Sequence, residues 1–368
     1  MTPTASPQKT DKLVVKDLRK TYGPVVALTD ASVEVKEGEF LTLLGPSGSG
    51  KTTMLMIIAG LVQPDSGEVW IDGKLATYAA SHQRDLGMVF QNYALFPHMT
   101  VAENIGFPLK MRRLPSAEIA AKVKRVLEIV RLPHVADRLP RALSGGQQQR
   151  IALARCIVYS PSIILMDEPL GALDKKLRDE MQLEIKRLHT ELGITVLYVT
   201  HDQEEAMVMS DRICLMNDAR IEQLGSPADL YFRPRTLFAA GFLGESNILD
   251  ATVASIENGR ASLKLALGGT GAYSAPLRDG AKAGQAVKVM VRPESLRVLA
   301  EGERAENEIA ASLKDVIMIG GITKHYAVLP DGKEVVASNL TRGPVGPTQP
   351  GQKLRLGWQN DAGVLIVG

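Results

Sequence analysis

Cysteine is scarce in this 368-residue sequence, which contains only Cys156 and Cys214. The two lie far apart, and neither has a histidine or a second cysteine at the spacing of a metal site. A disulfide framework or a zinc site is therefore not expected, and a reducing compartment fits best. The first residues, MTPTASPQKTDK, lack the apolar core of a secretory signal. We therefore expect a cytoplasmic location.

Long hydrophobic runs and a strong net charge are also missing. The longest apolar run, MLMIIAGLV at 54–62, is stopped by Gln63 and Pro64, whereas a bilayer span needs about 20 such residues. The net charge is +2, so no global basic field indicates nucleic acid. The basic stretches 110–113 and 122–125 are interpreted as solvated helix faces. We expect neither a membrane span nor a nucleic-acid partner.

The first two thirds of the chain alternate between strand and helix patterns. The composition, 45% apolar and 23% charged, is ordinary for a globular protein. Alternating strands and helices predict an α/β fold with a mostly parallel sheet covered on both faces. The predicted strands are 12–18, 31–40, 39–44, 86–90, 162–167 and 194–200. The predicted helices are 51–61, 116–130 and 175–192, and the second of these lies in a mainly helical stretch over 92–160.

The last third has a different pattern, of short strands separated by turn signals and without a long helix. Strand candidates are 285–293, 325–330, 334–338 and 353–359. We predict a separate all-β domain, a small barrel or sandwich. The length also favours two domains. The predicted organisation is a tail (1–11), an α/β domain (12–239) with its helical part (92–160), and a C-terminal β domain (240–368).

A phosphate-binding loop is predicted at GPSGSGKT, which fits G-x-x-x-x-G-K-[ST] and lies between a strand and a helix. In such a loop the glycines let backbone N–H groups point at phosphate oxygens. Lys51 would reach the β- and γ-phosphates, and Thr52 would bind Mg²⁺. The alternative is an ordinary turn before a helix. The candidate ATP-binding residues here are Gly45, Pro46, Ser47, Gly48, Ser49, Gly50, Lys51, Thr52 and Thr53.

Two acidic residues in SIILMDEP supply the second half of the predicted site. Asp167 ends an apolar strand, where its carboxylate can hold the Mg²⁺ shell. Glu168 follows directly and is the candidate that polarises or deprotonates the attacking water. A lone acidic pair after an apolar run is more often a cap or turn, but together with the P-loop it indicates catalysis.

A second glycine-rich turn, LSGGQQQR at 143–150, precedes what looks like a helix. The three motifs GPSGSGKT, LSGGQ and IILMDEP, in this order, resemble those of ATP-binding cassette (ABC) ATPases. The resemblance runs from about residue 12 to the end. It implies Mg²⁺-dependent ATP hydrolysis by a P-loop domain with a helical subdomain, followed by an OB-like, TOBE-type β domain.

The resemblance assigns roles to residues outside these motifs. Tyr22 would stack on the adenine ring, and Gln91 would sense Mg²⁺ and the attacking water from a loop that faces the membrane partner. His201 would contact the γ-phosphate. Asp174 lies in the GALD loop that crosses between subunits, where Gly171 replaces a frequent serine. The implied magnesium ligands are Thr52, Gln91 and Asp167.

The LSGGQ donors would serve the γ-phosphate held by another subunit. A cluster of donors at a helix N-terminus, with the positive end of the dipole behind it, suits an anion. The chain has one P-loop and one LSGGQ, so two copies must pair head-to-tail to complete two sites. The donor cluster comprises Ser144, Gly145, Gly146 and Gln147.

Import is the transport direction that the sequence favours, since no membrane helices are fused to the cassette. FPHMTVAENIGFPLKMR and the β domain resemble the importer group of maltose, iron and polyamine ATPases. This implies two permeases, an indirect periplasmic binding protein, and a peripheral position on the cytoplasmic face of the inner membrane. The β domain would be regulatory or dimer-stabilising. Its ligand, if it has one, is not given by the sequence.

The solute is indicated only by short stretches. LYVTHDQEEAM, RIEQLGSP, FLGESNIL and VRPE resemble the spermidine/putrescine branch; Fe³⁺, phosphonate-like solutes and sugars stay alternatives, because the ATPase does not touch the solute. A soluble ABC protein acting on ribosomes or DNA would usually carry two cassettes or a coiled-coil insert. A P-loop kinase or GTPase would lack LSGGQ, and the GTPase motif NKxD is absent here.

Overall fold

The structure, a computed structural model, describes residues 11–266, 273–278, 280–343 and 349–367. These residues form two compact units, divided between Pro227 and Ala228. In the part of the chain so described, no helix is both long and apolar enough to cross a bilayer.

The first unit contains two sheets and a set of helices. Its strands are β1 (Asp11–Tyr22), β2 (Val25–Lys36), β3 (Phe40–Leu44), β4 (Ser66–Ile71), β5 (Lys74–Leu75), β6 (Leu86–Val89), β7 (Ile163–Asp167), β8 (Thr195–Thr200), β9 (Arg212–Asn217) and β10 (Arg220–Gly225). Its helices are α1 (Lys51–Ala59), α2 (Val101–Met111), α3 (Ser116–Ile129), α4 (Gly145–Ile157), α5 (Lys175–Leu192) and α6 (Gln203–Met209). Helices α2, α3 and α4 all lie within 92–160.

The larger sheet is mostly parallel, with the strand order β10-β9-β3-β8-β7-β6. β3 pairs in parallel with β8 and β9, and β7 pairs in parallel with β6 and β8. Every residue of β3 and β8 is buried, as expected for strands covered on both faces. The carboxyl ends of β3, β7 and β8 therefore lie side by side, at the edge where ligands bind in such sheets.

The smaller sheet is antiparallel, with the order β2-β1-β4-β5. The prediction of one strand over 31–40 is wrong at both ends, because β2 begins at Val25 and stops at Lys36, and β3 begins at Phe40. Between them the Glu39 N–H donates to the Lys36 carbonyl at 3.0 Å, and Gly38 has a φ of 66°. This left-handed turn moves the chain from one sheet to the other.

Helix α5 has the bounds that the sequence predicts. Asp174 caps its start, since its carboxylate accepts a hydrogen bond from the Leu177 N–H at 3.0 Å. Gly193 ends it in the left-handed region, with a φ of 61°. Its buried residues include Met181, Ile185 and Leu188, so the predicted apolar stripe faces the core.

The other helices agree less completely with the sequence. The predicted helix over 116–130 is confirmed as α3. Helix α2 was not predicted individually, although Thr100 and Glu103 form a capping box at its start. Strands β4, β9 and β10 were also missed. They have short, mixed patterns whose burial depends on neighbours distant in sequence.

Arg84 is buried at the C-terminal end of α1. Its Nη1 donates to the carbonyls of Ile57 and Ile58, both at 2.8 Å. Its Nε donates to the Ala79 carbonyl and its Nη2 to the Thr77 carbonyl, both at 2.9 Å. Burial lowers the pKa of the guanidinium. A cation here adds donors to carbonyls at the end of the helix, of which that of Ile57 also accepts from the Gly60 N–H at 3.1 Å, and it offsets the negative end of the dipole.

We expect Arg84→Met to lower the free energy of unfolding by about 3 kcal/mol, because buried carbonyls lose their donors. Urea unfolding of the full chain would measure the loss. Arg19→Met is the control, since Arg19 is an exposed arginine of β1, and it should change stability by less than about 0.5 kcal/mol. Equal losses in the two variants would contradict the role given to Arg84.

The second unit is almost entirely β. After the short helices α7 (Pro227–Phe232) and α8 (Leu237–Phe242) its strands are β11 (Asn247–Glu257), β12 (Arg260–Leu265), β13 (Tyr273–Pro276), β14 (Ala286–Val291), β15 (Arg297–Val298), β16 (Asn307–Ile319), β17 (Ile322–Val328), β18 (Glu334–Leu340), β19 (Lys353–Trp358) and β20 (Gly363–Ile366). The predicted boundary at 239/240 falls within α8 and stays a prediction. The four strand candidates correspond to β14, β17, β18 and β19, whereas β11, β12 and β16 were missed.

Two five-stranded antiparallel sheets build this unit, in the orders β13-β12-β11-β14-β20 and β15-β19-β16-β17-β18. One core cluster takes side chains from both sheets: Val253 and Val289 come from the first, and Ile309 and Leu356 from the second. The sheets therefore pack on each other around one hydrophobic core, as in a small barrel or sandwich.

Candidate functional site

The loop between β3 and α1 depends on close backbone approaches. A Cβ atom added to Gly45 would lie 2.2 Å from the carbonyl oxygen of Met216, and one added to Gly50 would lie 2.3 Å from that of Ala27. Gly48 lies in open space but has a φ of 82°, which favours glycine. The loop can therefore wrap tightly enough to point its N–H groups at an anion.

Lys51 is buried at the start of α1. Its Nζ donates to the carbonyls of Gly45 and Pro46, both at 2.8 Å. Burial lowers the pKa of the ammonium group, while the carboxylates of Glu168 and Asp167 oppose this shift. The lysine thus lies inside the loop and close to both acidic residues, as the predicted phosphate contact requires.

Ser49 provides an independent sign that the loop fits an anion. Its hydroxyl is buried and has no hydrogen-bond partner among the described residues. Buried polar atoms are normally paired, and a phosphate oxygen would accept this hydroxyl. Ser47 is exposed and Thr53 is partly buried, so both lie at the rim of the loop rather than beneath it.

Two oxygen-bearing side chains meet where β7 ends. Thr52 Oγ1 donates to Asp167 Oδ1 at 3.2 Å. Burial raises the pKa of Asp167, the hydrogen bond from Thr52 opposes this, and Glu168 adds to the rise. In the described ranges no three His, Cys, Asp or Glu side chains could hold a metal by themselves. Mg²⁺ commonly combines one or two carboxylates with substrate phosphates, so the pair fits an ion that arrives with a nucleotide.

Glu168 lies directly beside His201. Its Oε1 is 3.2 Å from the His201 Nδ1, and its N–H donates to the Val199 carbonyl of β8 at 3.0 Å. The φ of Glu168 is 44°, a left-handed conformation that is uncommon for a non-glycine residue. The neighbouring strands β7 and β8 thus present a carboxylate and an imidazole side by side.

Gln91, just after β6, lies near the turn that follows Glu168. A Cβ atom at Gly171 would lie 3.9 Å from Gln91 Nε2 and 3.6 Å from the Glu168 carbonyl. These are ordinary contact distances, so a serine would fit at position 171. The departure from the family motif therefore removes a hydroxyl without being forced by lack of space.

Tyr22 lies at the exposed end of the β1–β2 hairpin. It pairs with Val25 across the hairpin, and its side chain is 49% exposed. The Lys20 ammonium lies 5.5 Å from the centre of its ring. Ala27 of the same hairpin lies against Gly50, so this hairpin packs beside the P-loop and the exposed ring of Tyr22 is free to stack on a base.

Ser144 caps helix α4. Its side chain accepts a hydrogen bond from the Gln147 N–H at 3.4 Å, and the Gln147 side chain accepts one from the Ser144 N–H at 3.0 Å. This capping box fixes the start of the helix. Ser144 is exposed and Gln147 partly so, which leaves the positive end of the helix dipole open to an anion from outside.

Gly145 and Gly146 of the LSGGQ motif pack against the loop that precedes α5 and against the first turn of that helix. A Cβ atom on Gly145 would lie 3.2 Å from Leu173, and one on Gly146 would lie 2.9 Å from Leu177. Asp174, between these leucines, is exposed. The LSGGQ residues and the Asp174 loop thus lie together, and their described contact partners lie outside the P-loop. The P-loop, by contrast, is grouped with the ends of β7 and β8.

Glu205 is a buried residue near the site that sequence reasoning missed. It accepts hydrogen bonds from the Tyr198 hydroxyl at 2.8 Å and from Thr200 Oγ1 at 2.6 Å. Burial raises the pKa of its carboxyl. In the sequence it looks like an exposed charge in the first turn of a helix, and no local signal marks it as buried. Its position just beyond His201 makes it part of the site's support.

Comparisons with known proteins agree with this geometry. Residues 28–171 match the ABC transporter family, and residues 289–366 match the TOBE domain. The spermidine/putrescine import ATP-binding protein PotA of Rubrobacter xylanophilus is 44% identical over 344 residues, which cover 94% of this chain and 90% of that protein. Its namesake from Ruegeria pomeroyi is 46% identical over 337 residues, covering 91% and 90%.

Solved structures match about three fifths of the chain. CbiO1 of Clostridium perfringens, part of the ABC transporter complex cbiONQ, is 30% identical with a TM-score of 0.56, covering 60% of this chain and 90% of that one. The dimeric ATP-binding cassette MJ0796 bound to ADP and Pi is 37% identical with a TM-score of 0.52, covering 58% and 98%. The predicted fold class is confirmed, and the chain belongs to the ATP-binding ATPases of the ABC transporter family.

Proposed function

We propose that the chain is the ATP-hydrolysing subunit of an importer of polyamines, the class that includes spermidine and putrescine. The observation that carries the proposal is the set of relatives, 41–46% identical over at least nine tenths of the chain, that bear the name spermidine/putrescine import ATP-binding protein. The grouping of Lys51, Asp167, Glu168 and His201 at one sheet edge supports the hydrolytic part of the proposal.

The residues divide the chemistry among them. Lys51 and the loop N–H groups bind the phosphates of ATP, and Tyr22 stacks on the base. Glu168 accepts the proton of the attacking water, and His201 beside it orients the γ-phosphate. Thr52, Asp167 and Gln91 would hold Mg²⁺, which neutralises phosphate charge when bound.

A second copy of the chain completes each site in this proposal. The exposed donors at Ser144 lie apart from the P-loop, and the chain has one example of each motif. A structural relative is a dimeric cassette. Two copies related by a two-fold axis would place each Ser144 over the partner's ATP.

The membrane partners are two permeases, which place the chain on the cytoplasmic face of the inner membrane as a peripheral subunit. Support comes from an open groove of about 370 Å³, lined in part by Phe90, the residue before Gln91 in the chain. It is lined mainly by apolar side chains, among them Phe90, Phe96, Phe107 and Tyr159. An apolar groove with aromatic walls suits a short helix from a permease loop. The binding protein would act through the permeases.

Reconstitution with the permeases and the binding protein tests the solute. We expect spermidine or putrescine to stimulate ATP hydrolysis in proteoliposomes, because loaded binding protein would favour the closed dimer. Ferric iron, a phosphonate and a sugar are tested in parallel as the alternative solutes. Proteoliposomes without binding protein are the control. Stimulation by one of those solutes and not by polyamines would contradict the polyamine assignment. Consistent recovery with ribosomes or nucleic acid instead of permeases would contradict import itself.

A further inference from the structure

Arg178, in the first turn of α5, joins two loops through one guanidinium. Its Nη2 donates to the carbonyl of Leu173 at 3.0 Å, in the loop that also holds Asp174. Its Nη1 donates to Asp202 Oδ2 at 3.1 Å, and its Nε lies 3.9 Å from Glu205 Oε1. The planar fork of an arginine holds such partners in a fixed relation.

Both carboxylates that face Arg178 are tied to the immediate neighbours of His201: Asp202 is one of these neighbours, and Glu205 holds the other, Thr200. Glu205 accepts from Thr200 Oγ1, and Thr200 Oγ1 in turn accepts from the Asp202 N–H at 3.0 Å. The side chain of His201 is itself 57% exposed. Little packs around the ring, so its position depends on Thr200 and Asp202, which fix the backbone on either side, and on the contact with Glu168 Oε1 at 3.2 Å.

We infer that Arg178 is a positioning residue that couples the Leu173–Asp174 loop to His201. The inference rests on the proposed function, in which this loop reaches the second copy of the chain. When the Leu173 carbonyl shifts, the guanidinium hydrogen-bonded to it shifts as well. This displaces Asp202 and, through Glu205, Thr200, the residues on either side of His201. An open groove of about 450 Å³, lined in part by Lys175, Arg178 and Asp202, gives these side chains room to move.

The consequence is that closure of the dimer and alignment of His201 against Glu168 are one event. Without the arginine, ATP would still bind, because the described partners of Arg178 lie outside the P-loop. Hydrolysis would suffer, because small displacements of catalytic groups have large effects on rate. We therefore expect loss of the arginine to lower kcat and to leave the affinity for ATP unchanged.

Arg178→Gln tests the inference through this separation. We expect kcat to fall about tenfold or more while the Kd for ATP changes by less than about twofold. Arg178→Lys keeps the charge but not the fork, so it should recover only part of the rate. Arg187→Gln is the matched control: Arg187 lies on the same helix, is similarly exposed (22% against 28% for Arg178), and also donates to a backbone carbonyl, that of Ile129. It should keep kcat within about twofold.

A double-variant cycle with His201→Ala shows whether Arg178 acts through the histidine. In single-turnover measurements Arg178→Gln should slow the His201→Ala protein by less than about twofold, since residues that act as a unit are not additive. The chain has six histidines, so the His201 ring can be assigned by NMR. Its resonances should move in Arg178→Gln and stay in place in Arg187→Gln.

Two outcomes would overturn the inference: an unchanged kcat in Arg178→Gln, or an equal loss with and without His201. Both presuppose a wild-type chain that hydrolyses ATP. A wild-type chain with no ATPase activity would instead overturn the proposed function, so the two failures are distinguishable.

Discussion

Glu168→Gln is expected to lower kcat for ATP hydrolysis by about 10²- to 10⁴-fold, the range usually lost with a general base. Glutamine has nearly the size and shape of glutamate, so the left-handed backbone at this position and the N–H bond to the Val199 carbonyl are retained. What disappears is the negative charge that, in the proposed mechanism, accepts the proton of water beside His201. The variant should therefore bind ATP and fail to consume it.

The same variant should trap the closed state. If ATP closes the dimer and hydrolysis reopens it, Glu168→Gln with ATP should sediment as a dimer, and without ATP as a monomer. Glu180→Gln is the control, because Glu180 is an exposed carboxylate on α5 and should leave both hydrolysis and association unchanged. A Glu168→Gln protein that stays monomeric with saturating ATP would disprove the cycle of closure and reopening.

Mixed dimers of Lys51→Ala and Ser144→Arg chains are expected to hydrolyse ATP although neither variant does so alone. Lys51→Ala removes the phosphate contact, and Ser144→Arg covers the donor cluster at the start of α4. In a head-to-tail dimer one site then combines both defects and the other has neither. If the two sites work independently, the mixed dimer should reach about half the wild-type rate.

Co-expression with two different tags and purification over both isolates the mixed dimer. The control pairs a Ser144→Arg chain with a chain that carries both substitutions, which leaves no complete site and should give no activity. If the LSGGQ motif served the ATP of its own chain, the first mixed dimer would be as inactive as the control. That result would refute the exchange of Ser144 between copies.

The local parts of the fold could be predicted from the sequence. Helix α5 is set by its cap Asp174, its apolar stripe and Gly193, all within twenty residues of chain. The P-loop residues likewise form one continuous motif. In contrast, the strand over 31–40 was extended too far, because the turn at Gly38 interrupts a pattern that otherwise continues in period two.

The supporting contacts of the site could not be predicted. Arg84 donates to carbonyls more than twenty residues away, and Arg178 reaches Asp202 across a helix and a strand. Such bonds depend on how elements pack, which periodicity does not report. Glu205 is the clearest case, because a carboxylate in the first turn of a helix usually faces solvent. The motifs thus indicate the proposed reacting groups but not the contacts that hold them.

The position of Lys51 has a consequence for which molecules the loop accepts. Its ammonium group already donates to two neutral carbonyls, those of Gly45 and Pro46. An incoming ligand gains from this lysine only the difference between those bonds and charged ones. Polyphosphates supply that difference, whereas a nucleoside without phosphates would leave the lysine where it is. We therefore expect the loop to favour polyphosphates over ligands that cannot form charged hydrogen bonds with Lys51.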